Sequence, residues 1–392
     1  MKKCESTTND GYHLTVSSVD FGWGGSGALG SILTSYLEWW NDTRIGVIGS
    51  QLGKNILSSE VTTSDAETLD AMIAAGQRPD LHLSVLDSDT AKAAVKSGIR
   101  TVFVDLLPFL WGEEQREWVP YDVDQYLFQD VAGLGDASDI LPSSAVSIEA
   151  IIDPHRNRRE PTRHGKSHEG YALLILGGLI SPQQNDRDGY VWAVTSSVVH
   201  AVQAHGHRRL RVVGNLSPVA ADAITQICTA HGIEGQVGYV STAEFGSLVD
   251  AADLILGQPG LMTLLEVSAS GRPFVRLPPQ NVAGFVQTAG FTSVQGDQAS
   301  ISWPPGIIDP EHLESLRLEG ESIANSYCYS SLNAFTGMLS WENDVFYEGL
   351  SQAIGEALAV PLATRRRFAG LTGDRGAQQA AQHIRREITR TV

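Results

Sequence analysis

Residues 257–291 read GQPGLMTLLEVSASGRPFVRLPPQNVAGFVQTAGF and hold the densest set of groups able to do chemistry. A strand pattern runs into Gly260, and a helical pattern begins at Leu261. At a helix N-terminus the backbone N–H groups of Leu261, Met262 and Thr263 can hold a diphosphate without a lysine or a metal. Glu266, about a turn further along, can accept both hydroxyls of a ribose. Gln280 and Asn281 follow the next strand, at the edge where open α/β sheets take their ligands. This set of groups suits a nucleoside diphosphate sugar.

A second candidate lies near the N-terminus, in VDFGWGGSGALGSIL. Gly22, Gly24 and Gly27 satisfy G-x-G-x-x-G between a strand and a helix. Such glycines let bare N–H groups approach a ligand. A dinucleotide site would need an acid at the end of the second strand, about 20 residues on. That strand, RIGVIGS, ends in Gly49–Ser50 with no acid, so nicotinamide and flavin lose their support. The glycines, Gly25 included, then either face another ligand or serve close helix–strand packing. Asp20 is a general base or a turn cap, and Trp23 stands beside it. Asp105 ends the strand TVFVD before LLPFLW, as a base or as a loop cap. Trp111 in that segment stacks on a flat molecule or belongs to the core.

The elements that position these groups alternate strand and helix almost throughout, which predicts parallel sheets covered by helices. The first half shows strands at 13–19, 44–48, 81–86 and 101–104, with helices at 28–40 and 90–97. Residues 151–170, IIDPHRNRREPTRHGKSHEG, are rich in Arg, Pro and His and are expected to be a solvated linker. The second half gives strands at 171–178, 209–215, 236–240, 253–257 and 273–277, separated by helices. Residues 309–328 and 342–358 are expected to be helical. Ala377, Ala380, Ala381 and Ile384 share one face of a final amphipathic helix. The predicted fold class is α/β, with two doubly wound, Rossmann-like domains facing across a cleft. The expected boundaries are 1–165 and 166–370, with a helix at about 371–392 packing back on the first domain.

Composition narrows the partners. The 392 residues suit two domains. A formal charge of −17 disfavours nucleic acid and membrane surfaces. No apolar run is long enough to span a bilayer. Cys4, Cys228 and Cys328 are too few and too scattered for a disulfide or metal framework. The chain is expected to be cytoplasmic.

The pattern of strand, glycine turn, Thr, Glu, G-x-P, strand and Pro-x-Gln resembles the GT-B glycosyltransferases. Within them it is most similar to the branch holding the peptidoglycan GlcNAc transferase and UDP-sugar-dependent natural-product transferases. The matching residues are Gly260, Thr263, Glu266, Gly271, Pro273, Gln280 and Asn281, with LGGLISP at 176–182 matching the family's donor-domain glycine loop at Gly178. The resemblance covers most of 171–295 and implies an inverting transferase in which a UDP-sugar is co-substrate, with no cofactor and no metal. It places Gly260–Thr263 on the diphosphate, Glu266 on the ribose and Gln280 on the sugar. The chain departs from the family at Gln258–Pro259, where a cationic contact is often found, and it has no His in residues 20–30.

DFGWGGSG also resembles the opening of cytosylglucuronate synthases of nucleoside-antibiotic pathways. That resemblance implies UDP-glucuronate as donor and cytosine or hydroxymethylcytosine as acceptor. A uronate carboxylate wants an arginine, and Arg276, with Arg272 behind it, is the candidate. The acceptor side would hold Gly22, Trp23, Gly24, Gly25 and Trp111, with Asp20 and then Asp105 as base. A nucleotide-sugar epimerase or hydrolase of the same fold is the competing class, and a homodimer is left open.

Overall fold

A computed structural model describes residues 11–19, 21–49, 64–135, 139–155, 170–181, 183, 187–296, 299–340 and 343–390. Asp20 and Cys4 lie outside the described residues.

The first sheet holds seven strands: β1 Tyr12–Ser18, β2 Thr43–Ile48, β3 Ser64–Ala66, β4 Leu81–Val85, β5 Arg100–Asp105, β6 Gln125–Gln129 and β7 Val146–Ile148. Their order is β3-β2-β1-β4-β5-β6-β7, with every pair parallel. Helices α1 Gly24–Trp39, α2 Leu69–Ala74 and α3 Ser88–Lys96 connect them. The second sheet is β8 Ala172–Gly177, β9 Arg209–Gly214, β10 Glu234–Gly238, β11 Leu254–Gly257 and β12 Phe274–Arg276. Its order is β10-β9-β8-β11-β12, again all parallel. Its helices are α4 Gly189–Ala204, α5 Pro218–Ala230, α6 Thr242–Ala251, α7 Leu261–Ser270 and α8 Val282–Gln295. Beyond it follow α9 Pro310–Glu319, α10 Glu321–Thr336, α11 Tyr347–Ala359, α12 Leu362–Arg365, α13 Arg367–Thr372 and α14 Gly376–Thr389.

Parallel strands need both faces covered; β8 and β11 are apolar runs to match, whereas β1 and β4 alternate Leu and Val with the buried polar Thr15, Ser17, His82 and Ser84. Leu14, Val16, Leu81, Leu83, Val102, Val104 and Leu127 are fully buried in a core shared with α1 and α14. Leu174, Leu176, Leu210, Leu254 and Leu256 are buried against α4 in the second sheet. No described helix is long and apolar enough to cross a membrane.

Several expectations need correction. Residues 309–328 are not one helix: the chain breaks at Gly320, whose φ of 146° is open to glycine. Residues 151–153 are buried rather than solvated, while 156–169 of the expected linker lie outside the described residues. The short strands β3, β6 and β7 and the helix α8 have no counterpart in the sequence-based expectations.

The final helix α14 packs on α1, and Ala377, Ala380, Ala381, Ile384 and Ile388 enter the first sheet's core. Arg385 donates to Asp42 at 2.8 and 2.9 Å, and Arg375 pairs with Glu149, so both ends of the helix are tied to the first domain. Ile384 is fully buried there. Ile384→Ala should lower unfolding free energy by about 3 kcal/mol, the usual cost of an isoleucine-sized core cavity. Urea denaturation measures it, and a loss under about 1 kcal/mol would mean the helix is not part of this core.

Candidate functional site

In an open parallel sheet, ligands bind beyond the strand C-termini where the strand order reverses. That point falls between β1 and β4 in the first sheet and between β8 and β11 in the second. The loops leaving those four strands meet in one cleft of about 670 Å³. Val19 and Phe21–Gly25 follow β1, Leu86 follows β4, Gly177–Ile180 follow β8, and Gln258–Thr263 follow β11. Leu86 (φ 58°) and Leu179 (φ 52°) hold left-handed backbone there, a strain found most often at functional sites.

The two glycine loops touch. Gly22 N–H donates to the Ile180 carbonyl at 3.1 Å, across the two domains. Gly22 takes a φ of 62°, and a Cβ on Gly178 would lie 2.7 Å from the Trp23 nitrogen. Only glycine allows that approach. Trp23 reaches Tyr239 of the second domain, with ring centroids 5.8 Å apart. Met262, in the first turn of α7, packs against the core of the first domain.

Three helices open on this cleft without side-chain caps: α1, α7 and, from Gly320, α10. Helix α1 starts after Trp23 and α7 after Gly260, and neither cap residue has a side chain that accepts an N–H. Their neighbours differ: Ser241 caps α6 in a capping box with Glu244, and Asn281 caps α8 by accepting from Gly284 N–H at 2.8 Å. The first-turn N–H groups of α1 and α7 therefore point partial positive charge into the cleft. Among the described lining residues there is no Lys, Arg or His, and the carboxyls are Glu114, Glu266 and Glu321. Polar lining atoms that are buried without a partner are Trp23 Nε1, Ser31 Oγ, Thr242 Oγ1 and Gln258 Nε2. Groups left in that state are costly in a closed protein and are suited to meet a ligand.

Of the donor-side residues expected from sequence, Gly178, Gly260, Leu261, Met262, Thr263, Glu266, Gln280 and Asn281 line the cleft together. Glu266 is 4% exposed and accepts the Asp153 N–H at 2.8 Å, so one of its oxygens also ties the domains. Gln280 and Asn281 sit on a turn braced from behind. Tyr190 donates to the Pro278 carbonyl at 2.9 Å and Trp303 to the Pro279 carbonyl at 2.7 Å. Val282 N–H donates to Asn325 at 3.0 Å. On the acceptor side Gly22, Trp23, Gly24, Gly25 and Trp111 all line the cleft.

Two expected residues are elsewhere. Arg276 is 1% exposed and faces α8, where it donates to Thr292 Oγ1 at 2.5 Å and lies over the Phe291 ring at 5.1 Å. It lines a separate small cavity with Arg272 and Phe291 and not the cleft. The pleat of β12 turns its side chain away from the ligand edge. Asp105 is fully buried and accepts three hydrogen bonds: Leu107 N–H at 2.9 Å, Trp111 Nε1–H at 2.8 Å and Tyr126 O–H at 2.6 Å. It does not line the cleft, so it is not placed to take an acceptor's proton. Burial raises its pKa to about 6 against the three hydrogen bonds.

Sequence reasoning missed Glu114, Gln115 and Trp118 on the first-domain side, and Thr242, Phe245, Glu321, Asn325 and Tyr329 on the second. The α10 residues had one available signal, the glycine at 320 that ends α9 and aims a new helix at the cleft. Burial raises the pKa of Glu321, and Asn325 donates to it at 3.3 Å. Among the described residues no group of three or more His, Cys, Asp or Glu could hold a metal.

No family model and no curated protein matches the sequence. Solved structures do match the fold. MnaA of S. aureus, solved with UDP, superposes with a TM-score of 0.56 at 9% identity, over 96% of each chain. MurG of Acinetobacter baumannii gives 0.51 at 13% identity, over 96% of this chain and 99% of its own. The glycotransferase of kitacinnamycin gives 0.50 at 14% identity, over the same shares. The protein therefore has the GT-B fold, two Rossmann-like domains facing across a cleft.

Asp105 gives a pH signature. Its folded pKa stands above the ordinary carboxylate value of 3.8, so the folded state binds the proton more tightly than the unfolded one. Stability should fall as pH rises from about 4 to 6, by roughly 3 kcal/mol from this group. Asp105→Asn should lose that slope. Urea midpoints at pH 4.5 and 7 test it, and equal pH dependence in both proteins would refute the assignment.

Proposed function

We infer that the protein is an inverting glycosyltransferase that moves an uncharged sugar from a UDP-sugar to a small acceptor. The observation that carries this is that the uncapped N-termini of α1 and α7 open on one cleft with no basic side chain among its described lining residues. Helix dipoles and bare N–H groups at these termini are suited to hold a diphosphate there. The resemblance of residues 257–291 and the GT-B fold support a nucleotide-sugar donor.

The α7 N-terminus at Leu261–Thr263 would bind the diphosphate, Glu266 the ribose and Gln280 the sugar hydroxyls. The acceptor nucleophile bonds to the anomeric carbon as the bond to the β-phosphate oxygen breaks. UDP leaves with the electron pair, and the N–H groups of α7 stabilise its growing charge. We assign the acceptor's proton to Asp20, which in sequence stands between Val19 and Phe21, both cleft residues.

A uronate donor would need a cation beside the sugar, and Arg276, the candidate for it, faces α8. The donor sugar is therefore proposed to be neutral, and the cytosylglucuronate reading loses its support.

Mass spectrometry of a matrix of UDP-sugars and acceptors tests the function. Sugar transfer should require an acceptor, and UDP-hexoses should exceed UDP-glucuronate at least tenfold in kcat/KM. Epimerised or hydrolysed sugar at full rate without acceptor would favour the competing class. Glu266→Ala should weaken UDP binding about tenfold, the worth of a charge-assisted hydrogen bond. Glu266→Gln, which can still accept the Asp153 N–H, separates ribose contact from domain tethering. Asp20→Asn should lower kcat by roughly 10²–10⁴ with donor affinity unchanged. Unaltered kcat would remove Asp20 from the mechanism.

A further inference from the structure

The first-domain wall of the cleft contains five side chains joined in a closed circuit. Trp111 and Trp118 line the cleft with ring centroids 4.5 Å apart. Behind them Trp118 meets Phe103 edge-on at 5.8 Å, and Phe103 lies 5.2 Å from Tyr126. Tyr126 O–H donates to Asp105 Oδ2 at 2.6 Å, and Trp111 Nε1–H donates to the same oxygen at 2.8 Å, which closes the circuit. Phe103, Tyr126 and Asp105 are buried at 0%, 1% and 0% exposure, while both tryptophans are half-buried.

The circuit has a structural reason. Trp111 sits between two 3₁₀ turns, Pro108–Leu110 and Glu113–Gln115, outside any sheet or α-helix. Nothing in the backbone ladder fixes its ring. An ionised carboxylate in a dry core costs free energy unless it is well used. Here its three hydrogen bonds hold the loop backbone at Leu107, the Trp111 ring and the Tyr126 ring. Trp118 is fixed separately, by its N–H to the Gln115 carbonyl at 2.8 Å and by Ser88 on its own carbonyl.

We propose that Asp105 is a positioning residue: through its bond to the Trp111 indole N–H it holds Trp111 beside Trp118 as a stacking platform for an acceptor with a flat aromatic ring. That wall also carries the apolar Val19, Phe21, Leu86, Leu106 and Leu107, with Ser31 and Gln115 as its neutral polar members. Glu114 is its acidic member, and no described lining residue is basic, which favours an uncharged ring over an anionic one. Stacked aromatic faces supply the attraction and set the ring's orientation toward the donor. This inference rests on the transferase reading for the word acceptor, but the platform itself does not.

Binding without donor keeps the two apart. Calorimetry on the full chain with 4-nitrophenol, indole and free cytosine, against cyclohexanol, reads the platform alone. At least one flat ring should bind tenfold or more tighter than cyclohexanol, and Trp111→Ala should remove that preference. With the ring that binds best, Asp105→Asn should weaken binding three- to tenfold while UDP affinity stays unchanged. In a Trp111→Phe background, which has no indole N–H to hold, Asp105→Asn should add nothing. A merely structural Asp105 would cost the same in both backgrounds and would overturn the proposal, as would no preference for any flat ring. Flat-ring binding with no turnover of any UDP-sugar would leave the platform standing and defeat the transferase reading instead.

Discussion

Everything in the cleft depends on how closely two glycine loops approach. Gly22 and Gly178 bring the domains together at a point where neither can carry a side chain. That contact sets the distance between the N-termini of α1 and α7, and so the space left for a ligand. The same approach lets Trp23 reach Tyr239, Met262 reach the first core, and Thr242 lie against Gly30. A second layer behind it is apolar: Val131, Leu134 and Ile152 share a core with Leu261, Leu265 and Phe291. The two domains are thus joined by packing at the rear and by backbone at the ligand edge.

The electrostatics follow from the same arrangement. A chain of charge −17 can hold an anion only where formal charge is not the deciding quantity. At a helix N-terminus the positive field comes from peptide dipoles, which fall off within a turn and act at contact range. The three carboxyls of the described lining stand on Glu114, Glu266 and Glu321, on three different elements around the cleft. An anionic sugar or acceptor would face them with no basic side chain among the described lining residues, whereas hydroxyls could donate to each carboxylate.

Legibility in the sequence followed the physics of each signal. Repeated β-then-α order and the glycine turns at 22–27 and 260 are local signals, and they led to the sheets and to the cleft. The direction of Arg276 was not legible, because a three-residue strand does not reveal which face its alternation presents. Asp105 ends a strand at the ligand edge, as a base would. Its burial is set by Trp111 and Tyr126, 6 and 21 residues away, and by no local pattern. The short strands β3, β6 and β7 lie at or next to the sheet's edges and gain their pairing from neighbours already in the sheet, which a single segment's sequence does not show. Glu321 and Asn325 enter the site from a helix far along the chain, where only the break at Gly320 marks the turn.

The central claim is that backbone N–H groups at the α7 N-terminus hold the donor diphosphate. Calorimetric titration of the intact protein with UDP and with uridine, in a buffer without added metal, tests it most directly. UDP should bind at least tenfold tighter than uridine, with a difference that shrinks as salt is raised. Equal affinities for the two would contradict the account.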